Sequence, residues 1–378
     1  DCLLSRGLGD VYKRQHRTGY YKDFLEYDVI ITSYGSVLRD ISIFKMLKWN
    51  IVALDEAQDI KNPLAKRTNI IKSLQRNSSI AVTGTPLENT IIDLWSIMDF
   101  CYPGYLGTQK DFEFNYFGHD SSYHDLESKV KPLILKREIS SVATQLPEKI
   151  EIPSYLRLSH NQSEKYDEIK ERIKSTFTGA PSLAAITALR QYCCHPHIID
   201  EYLDNDLIDV SPKYEHLVNI LEQIFYKNEK VLIFSSYKKM INIMVYDLKI
   251  RFNVWADKID GSVETSRRQE CIDEFENING SAILILNPKA AGAGLNITAA
   301  NHVIHYNPEW NPATEDQASA RAYRLGQDKP VSIHRFIYSD TLEEVMDDRL
   351  TRKREIADAI VVGNEGKDQS DLEKIFMN

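Results

Sequence analysis

Residues 286–327 read LNPKAAGAGLNITAANHVIHYNPEWNPATEDQASARAYRLGQ, and the order of events along them points to a fold class. A short apolar strand ends at Leu286 and runs into a loop of small residues, Ala290 to Gly294. A second apolar run, His302–His305, follows and ends in an Asn-Pro turn. Asn311 is a good helix N-cap, Pro312 suits the first helical position, and Gly326 is a good C-terminal stop. Strand, tight loop, strand and capped helix is the alternation of a parallel sheet covered on both faces. The pattern predicts one helix from Asn311 to Gly326, on which Gln317, Arg321 and Arg324 sit at i, i+4 and i+7 and so share a face.

Outward from this stretch the alternation continues. Ala282–Leu286 and Val231–Ser235 are strands upstream and Val331–Ile337 is one downstream. The helix before Val231 carries Leu217, Ile220, Leu221, Ile224 and Phe225 on one side. An earlier region repeats the scheme with strands Asp28–Thr32, Asn50–Leu54 and Ile80–Thr83, then a helix bearing Ile91, Leu94, Trp95 and Met98. The expectation is an α/β protein of two lobes with parallel sheets, the first incomplete. Residues 16–100 form the C-terminal part of lobe one. Residues 101–210, rich in Tyr, Lys and Glu and broken by Pro103, Pro132, Pro147, Pro153 and Pro181, form helical insertions and a linker. Residues 211–344 form lobe two, and 345–378 a charged helical tail. Residues 1–15 show no helix or strand period and are read as an assembly artefact foreign to the fold.

The chain has 378 residues, 43% hydrophobic and 27% charged, enough for two cores. A net charge of −9 excludes a uniformly basic nucleic-acid coat but allows a local basic groove. Five cysteines without repeated spacing argue against a disulfide framework and imply a reducing, cytoplasmic setting. No apolar run approaches the length of a membrane span, so no membrane partner is expected.

Four motifs carry chemistry. In IVALDEAQ, residues 51–58, a buried strand delivers Asp55 and Glu56 to its carboxyl end, where α/β sheets bind ligands. Asp55 there can hold Mg²⁺ on a nucleotide, and Glu56 can orient or deprotonate water; the plainer alternative is a solvated acidic helix start. In TGTPLEN, residues 83–89, Thr83 and Thr85 can sense a γ-phosphate, or Thr85 can simply cap a helix that opens at Pro86. Arg321 and Arg324 on one face match a polyphosphate, or form a solvated face paired with Glu315 or Asp316. The small loop around Gly294 permits close approach to phosphate, or is only a tight connection. Cys193-Cys194-His195-Pro196-His197 lacks a second pair of ligands and reads as structural rather than zinc-binding.

In order and residue type these motifs resemble helicase-like superfamily two, and within it the Swi/Snf-type ATPases. The carrying stretches are DVIITSYGSV, LDEAQDIKNP, TGTPLENTIIDLWSIMDF, LPEKIEI, ALRQYCCHP, IDGSVETSRRQ, the long run ending in QASARAYRLGQ, and HRFIYSDTLEE. LDEAQ followed by IKNP looks like the prokaryotic branch. The resemblance implies two RecA-like lobes that grip double-stranded DNA without reading sequence, with ATP and Mg²⁺ bound between them. It implies Asp55, Glu56, Arg321 and Arg324 as catalytic, and Gln58, Thr83, Thr85, Gly294 and Gln317 on the nucleotide. It implies Thr32, Ser33, Gly261, Ser262, Asn296, Thr298 and Trp310 on DNA, where Trp310 either leans into the groove or packs beside Pro308 and Pro312. Lys289, Arg267 and Arg268 are candidate phosphate-binding bases. A DNA-bound protein is a candidate remodelling target, and a prokaryotic motor would be nucleoid-associated.

One departure stands out. Such motors cradle phosphate with a loop ending in Gly-Lys-Ser/Thr, and that tripeptide occurs nowhere in the 378 residues. Gly7-Leu8-Gly9-Asp10 puts an aspartate where lysine is needed. The expectation is therefore a motor truncated ahead of its phosphate loop and inactive as given. The alternatives are a strand-separating helicase and a non-catalytic DNA-binding or scaffold protein.

Overall fold

The computed structural model describes residues 9–12, 21–84, 91–116, 122–135, 145–176, 183–199, 206–291 and 295–359. They fall into two compact units, one of the described residues up to 135 together with 356–359, the other of those from 145 to 355.

The first unit holds β1 (Gly9–Tyr12) paired in parallel with β2 (Val29–Thr32), and β3 (Trp49–Leu54) paired in parallel with β4 (Arg76–Ala81). Phe24, Phe44 and Trp49 meet at tilted angles, 5.2–6.0 Å between ring centroids. Leu54, Ile60, Ile71 and Phe100 complete that core. The helix Ile91–Cys101 is apolar nearly all round because it serves two clusters. Ile97 and Phe100 face the strands, whereas Ile91, Leu94, Trp95 and Met98 meet Phe112, Tyr116, Leu126 and Val130 of the next two helices.

The second unit is built on one six-stranded, all-parallel sheet. Its strands are β5 (Lys149–Leu156), β6 (Lys230–Phe234), β7 (Trp255–Ile259), β8 (Ala282–Leu286), β9 (His302–His305) and β10 (Val331–Tyr338), in the order β5-β10-β9-β6-β8-β7. Every residue of β8 and β9 is buried. Each fully buried Leu or Ile there contributes about 1.5–3 kcal/mol. Helix Pro212–Tyr226 begins as its sequence dictates, with Pro212 in the first turn and the Ser211 hydroxyl accepting from Tyr214 N–H at 3.3 Å. At one rim Pro153 of β5 sits opposite Arg335; at the other, β7 carries Asp257 and Lys258.

The structure departs from the sequence expectations in five places. Gly9–Tyr12 form a strand although 1–15 was set aside as foreign. The stretch 101–210 is not a linker throughout: up to Leu135 it packs with the first unit, and β5 is a full member of the second unit's sheet. β7 was not expected at all. Among the described residues the strands of the first unit are not covered on both faces, since Ile51 and Ile80 are 57% and 49% exposed. Finally, the helix expected to reach Gly326 runs only from Pro312 to Ser319. Past it the Arg321 and Ala322 N–H groups reach back only three residues, to the carbonyls of Ala318 and Ser319 at 3.1 Å each, and the Arg321 carbonyl accepts from Ile297 N–H at 3.0 Å, so Arg321 and Arg324 stand beyond the helix.

Candidate functional site

In the first unit the candidate residues gather where β2, β3 and β4 end. Thr32 closes β2, and Ser33 caps the helix Tyr34–Arg39 by accepting from Ser36 N–H at 3.2 Å. Asp55 follows β3 and is exposed. Its Oδ1 accepts from Glu56 N–H at 3.0 Å, and its carbonyl accepts from the Tyr34 hydroxyl at 2.9 Å. Glu56 adopts a left-handed backbone (φ 51°, ψ 52°), which costs a non-glycine residue about 1–2 kcal/mol. That reversal allows its Oε2 to accept from Gln58 Nε2 at 2.6 Å. Gln58 Oε1 in turn accepts from the Thr83 hydroxyl at 2.6 Å. Because Glu56 can only accept, the Gln58 amide has one orientation that satisfies both neighbours. Two backbone bonds, Ala57 N–H to Val82 O (2.9 Å) and Val82 N–H to Leu54 O (2.8 Å), fasten the same loops. A hard carboxylate oxygen at an exposed strand end, as at Asp55, fits a magnesium ion. Thr85 and Gly294 lie outside the described residues.

In the second unit a polar network ties the loops at the carboxyl ends of three neighbouring strands. The Ser235 hydroxyl and Ser236 N–H donate to Asn307 Oδ1 at 3.0 and 3.2 Å, and Asn307 Nδ2 donates to the Ser236 hydroxyl at 3.0 Å. Asn287 Nδ2 donates to the Ser236 carbonyl at 3.1 Å, and the Ser236 hydroxyl donates to the buried Glu309 carboxylate. None of these positioning residues was singled out from sequence. The signal was there in the Ser-Ser, Asn-Pro and Asn-Pro pairs that end β6, β8 and β9.

Beyond β7, Asp260 accepts from Ser262 N–H at 2.7 Å and from its hydroxyl, a turn that leaves Gly261 and Ser262 exposed. Asn296 is exposed and Thr298 half-buried. Their loop meets the arginine turn, where Arg321 Nη1 donates to the Leu295 carbonyl at 3.4 Å. Gln317 and Arg321 are half-buried and Arg324 is exposed. The candidate bases are not equal. Lys289 is exposed, but Arg267 already meets Glu270 (3.1 Å) and Glu274 (2.8 Å), and Arg268 Nε donates to the Val263 carbonyl at 3.0 Å.

Trp310 is half-buried. It lies between the guanidinium groups of Arg190 and Arg349, at 5.7 and 5.8 Å from its ring centroid, and against a cluster that includes Tyr166, Leu189 and Tyr338. Arg190 Nη2 also donates to the Pro308 carbonyl at 3.0 Å. Cys193 and Cys194 are buried, and burial pushes the Cys194 thiol up to about 12. Burial pushes His195 down to about 4, while its Nε2 lies 3.2 Å from the Leu207 carbonyl. Among the described residues no helix is long and apolar enough to cross a membrane.

Residues 9–198 match the model of the SNF2-related domain, and residues 212–326 match the helicase conserved C-terminal domain. YwqA of Bacillus subtilis, described as a candidate ATP-dependent helicase/translocase, is 37% identical over 88% of this chain and 38% of its own length. The Zorya protein ZorD of Escherichia coli is 34% identical over 93% of this chain and 35% of its own. The chain thus spans under two fifths of the length of these relatives. The SWI2/SNF2 ATPase core domain of Sulfolobus solfataricus superposes with a TM-score of 0.50 at 30% identity, covering 97% of this chain and 76% of that one.

Proposed function

Since the chain belongs to the SNF2-related family and carries that family's helicase C-terminal domain, we propose that it serves an ATP-dependent translocase on double-stranded DNA. The observation that carries the reading is the relay Glu56–Gln58–Thr83, two bonds of 2.6 Å that join the acidic strand end to the threonine turn. Such a relay suits a motor, because a shift at the hydrolytic carboxylate is felt at the neighbouring loop.

Asp55 holds Mg²⁺, which neutralises phosphate charge when bound. Glu56, oriented by Gln58, takes a proton from the attacking water. Thr85, Gly294 and Gln317 contact the nucleotide. Arg321 and Arg324 stabilise charge on the transferring phosphoryl group. Thr32, Ser33, Gly261, Ser262, Asn296 and Thr298 contact DNA phosphates through hydroxyls and amides, which position the duplex without reading it. Trp310 keeps its stacked place and supports the turn into helix Pro312–Ser319. A protein bound to DNA is the remodelling target, and the setting is the cytoplasm, at the nucleoid.

Unrelated duplexes of equal length, titrated at two salt concentrations, test the DNA half of this reading. Affinities are expected to agree within about tenfold across sequences and to fall steeply with salt as counterions are released. A stronger sequence preference, or indifference to salt, overturns it. Phosphate release tests the other half. The 378 residues contain no Gly-Lys-Ser/Thr, so this chain is expected to turn over little ATP even with DNA. In a form supplied with such a loop, Arg321→Ala and Arg324→Ala are each expected to cost about 10³–10⁵ in rate. A variant that keeps a tenth of the rate, roughly, assigns its arginine to a solvated surface role. The same missing tripeptide favours a second reading, a DNA-binding scaffold without turnover; duplex binding without hydrolysis in the supplied form would select it.

A further inference from the structure

Gln327 ends the QASARAYRLGQ run, yet it does not face solvent: the residue is 6% exposed. Its Nε2 lies 3.0, 2.9 and 3.2 Å from the carbonyls of Thr298, Ala300 and Ala322, and its Oε1 accepts from Lys329 N–H at 3.0 Å. A primary amide brings two N–H donors and an acceptor on one planar group, a set that neither a carboxylate nor an apolar side chain reproduces. The carbonyls belong to two different segments, the loop 295–300 and the turn 321–325. Other contacts join the same segments: Ile297 N–H to Arg321 O at 3.0 Å and Arg321 Nη1 to Leu295 O at 3.4 Å. Beside them Gly326 has φ +101°, and a Cβ built there would come 3.9 Å from the Thr298 methyl.

We infer that Gln327 is a positioning residue that clamps the loop bearing Asn296 and Thr298 to the turn bearing Arg321 and Arg324, so that the two move as one body. The inference rests on the proposed function only for what the segments touch, duplex phosphates on one and ATP phosphates on the other. Without the amide the buried carbonyls of Ala300 and Ala322 lose their shared donor, and a buried acceptor left unmatched favours local opening. The loop then follows DNA without dragging the arginines along.

Hydrogen–deuterium exchange on the whole 378-residue chain tests the clamp, comparing wild type with Gln327→Met, with and without a short mixed-sequence duplex. Without DNA, residues 295–300 and 321–325 of the variant are expected to exchange about tenfold or more faster together, while β8 and β9 keep wild-type protection. With DNA, wild-type protection at 295–300 should extend to 321–325, and in the variant it should stop at the loop. Wild-type exchange of both segments in Gln327→Met, or DNA protection still reaching the arginines, overturns the inference. Should β8 and β9 also open, Gln327→Asn, which keeps the amide and shortens its reach, decides by the same readings. If the duplex protects nothing in the wild type, the DNA reading fails, and the clamp is judged on the DNA-free comparison alone.

Discussion

β3 and β8 are alike in composition and different in fate. IVAL and AILIL are both unbroken apolar runs that lead into functional loops, yet Ile51 of β3 is 57% exposed while every residue of β8 is buried. The cause lies in the neighbours. β8 has β6 on one side, β7 on the other and packed clusters on both faces. Among the described residues β3 pairs with β4, and Trp49, Val52 and Leu54 of the strand join one apolar cluster while Ile51 does not. An apolar run therefore specifies a strand, whereas burial is a property of the sheet that receives it.

One ion pair from each unit extends the contrast between buried and open sites. Lys213 and Glu343 form an ion pair at 0% and 2% side-chain exposure, with the Tyr338 ring 4.4 Å from the ammonium. Lys213→Ala leaves Glu343 buried and unpaired, and urea unfolding should show a loss of about 3–5 kcal/mol. In the first unit Arg67–Asp59 is close, at 2.5 Å, but open to water at 41% and 46%. Arg67→Ala should cost about 1 kcal/mol or less. Losses of equal size would break the comparison.

Apolar truncations sharpen it. Ile233→Ala in β6 empties a fully buried site and should cost about 2–5 kcal/mol by the same measurement. Ile51→Ala should cost about 1 kcal/mol or less. If Ile51→Ala matched Ile233→Ala, β3 would be covered in solution.

A pH dependence is expected in the second unit. His334 is pushed down from 6.5 to about 4 by burial first, then by His302 and His216, and its ring stacks on His302 at 5.9 Å. Burial lowers His302 too, against the pull of Glu229, whose carboxylate lies 2.8 Å away; Lys227 and Lys329 lower it further. His216 is lowered by burial alone. A base with a depressed folded pKa binds fewer protons folded than unfolded, so stability falls as pH drops from 6.5 towards 4. His334→Leu should remove about 1–2 kcal/mol of the difference in unfolding free energy between pH 7.5 and pH 5. An unchanged difference would place the acid sensitivity elsewhere.

Legibility followed local chemistry. β8 and β9 were read to the residue because continuous β-branched runs have few other uses. β5 was missed because Glu151 and Pro153 interrupt KIEIPSYL, and β7 because Trp255, Asp257 and Lys258 suit a rim strand rather than a core one. β4 was placed too late because its first residues, Arg76 to Ser79, are polar. In the site, Asp55 and Glu56 were legible as strand-end acids, whereas Gln58 became a bridge only once the left-handed Glu56 was seen. The shared helical face of Gln317, Arg321 and Arg324 was the clearest misreading. The cap at Asn311 is real and Gly326 does take a positive φ, but the helix has already ended at Ser319, where the backbone turns to shorter bonds that no side-chain period reveals.

The rims of the second unit's sheet bear on how this protein behaves when crowded. An open strand edge templates the addition of another chain, the first step towards fibrous aggregates. Pro153 withholds an N–H in the middle of β5, and Asp257 with Lys258 puts opposite charges on β7, so neither rim offers an unbroken neutral ladder. Pro153→Val would turn β5 into KIEIVSYL, an unbroken strand edge at the margin of a fully parallel sheet.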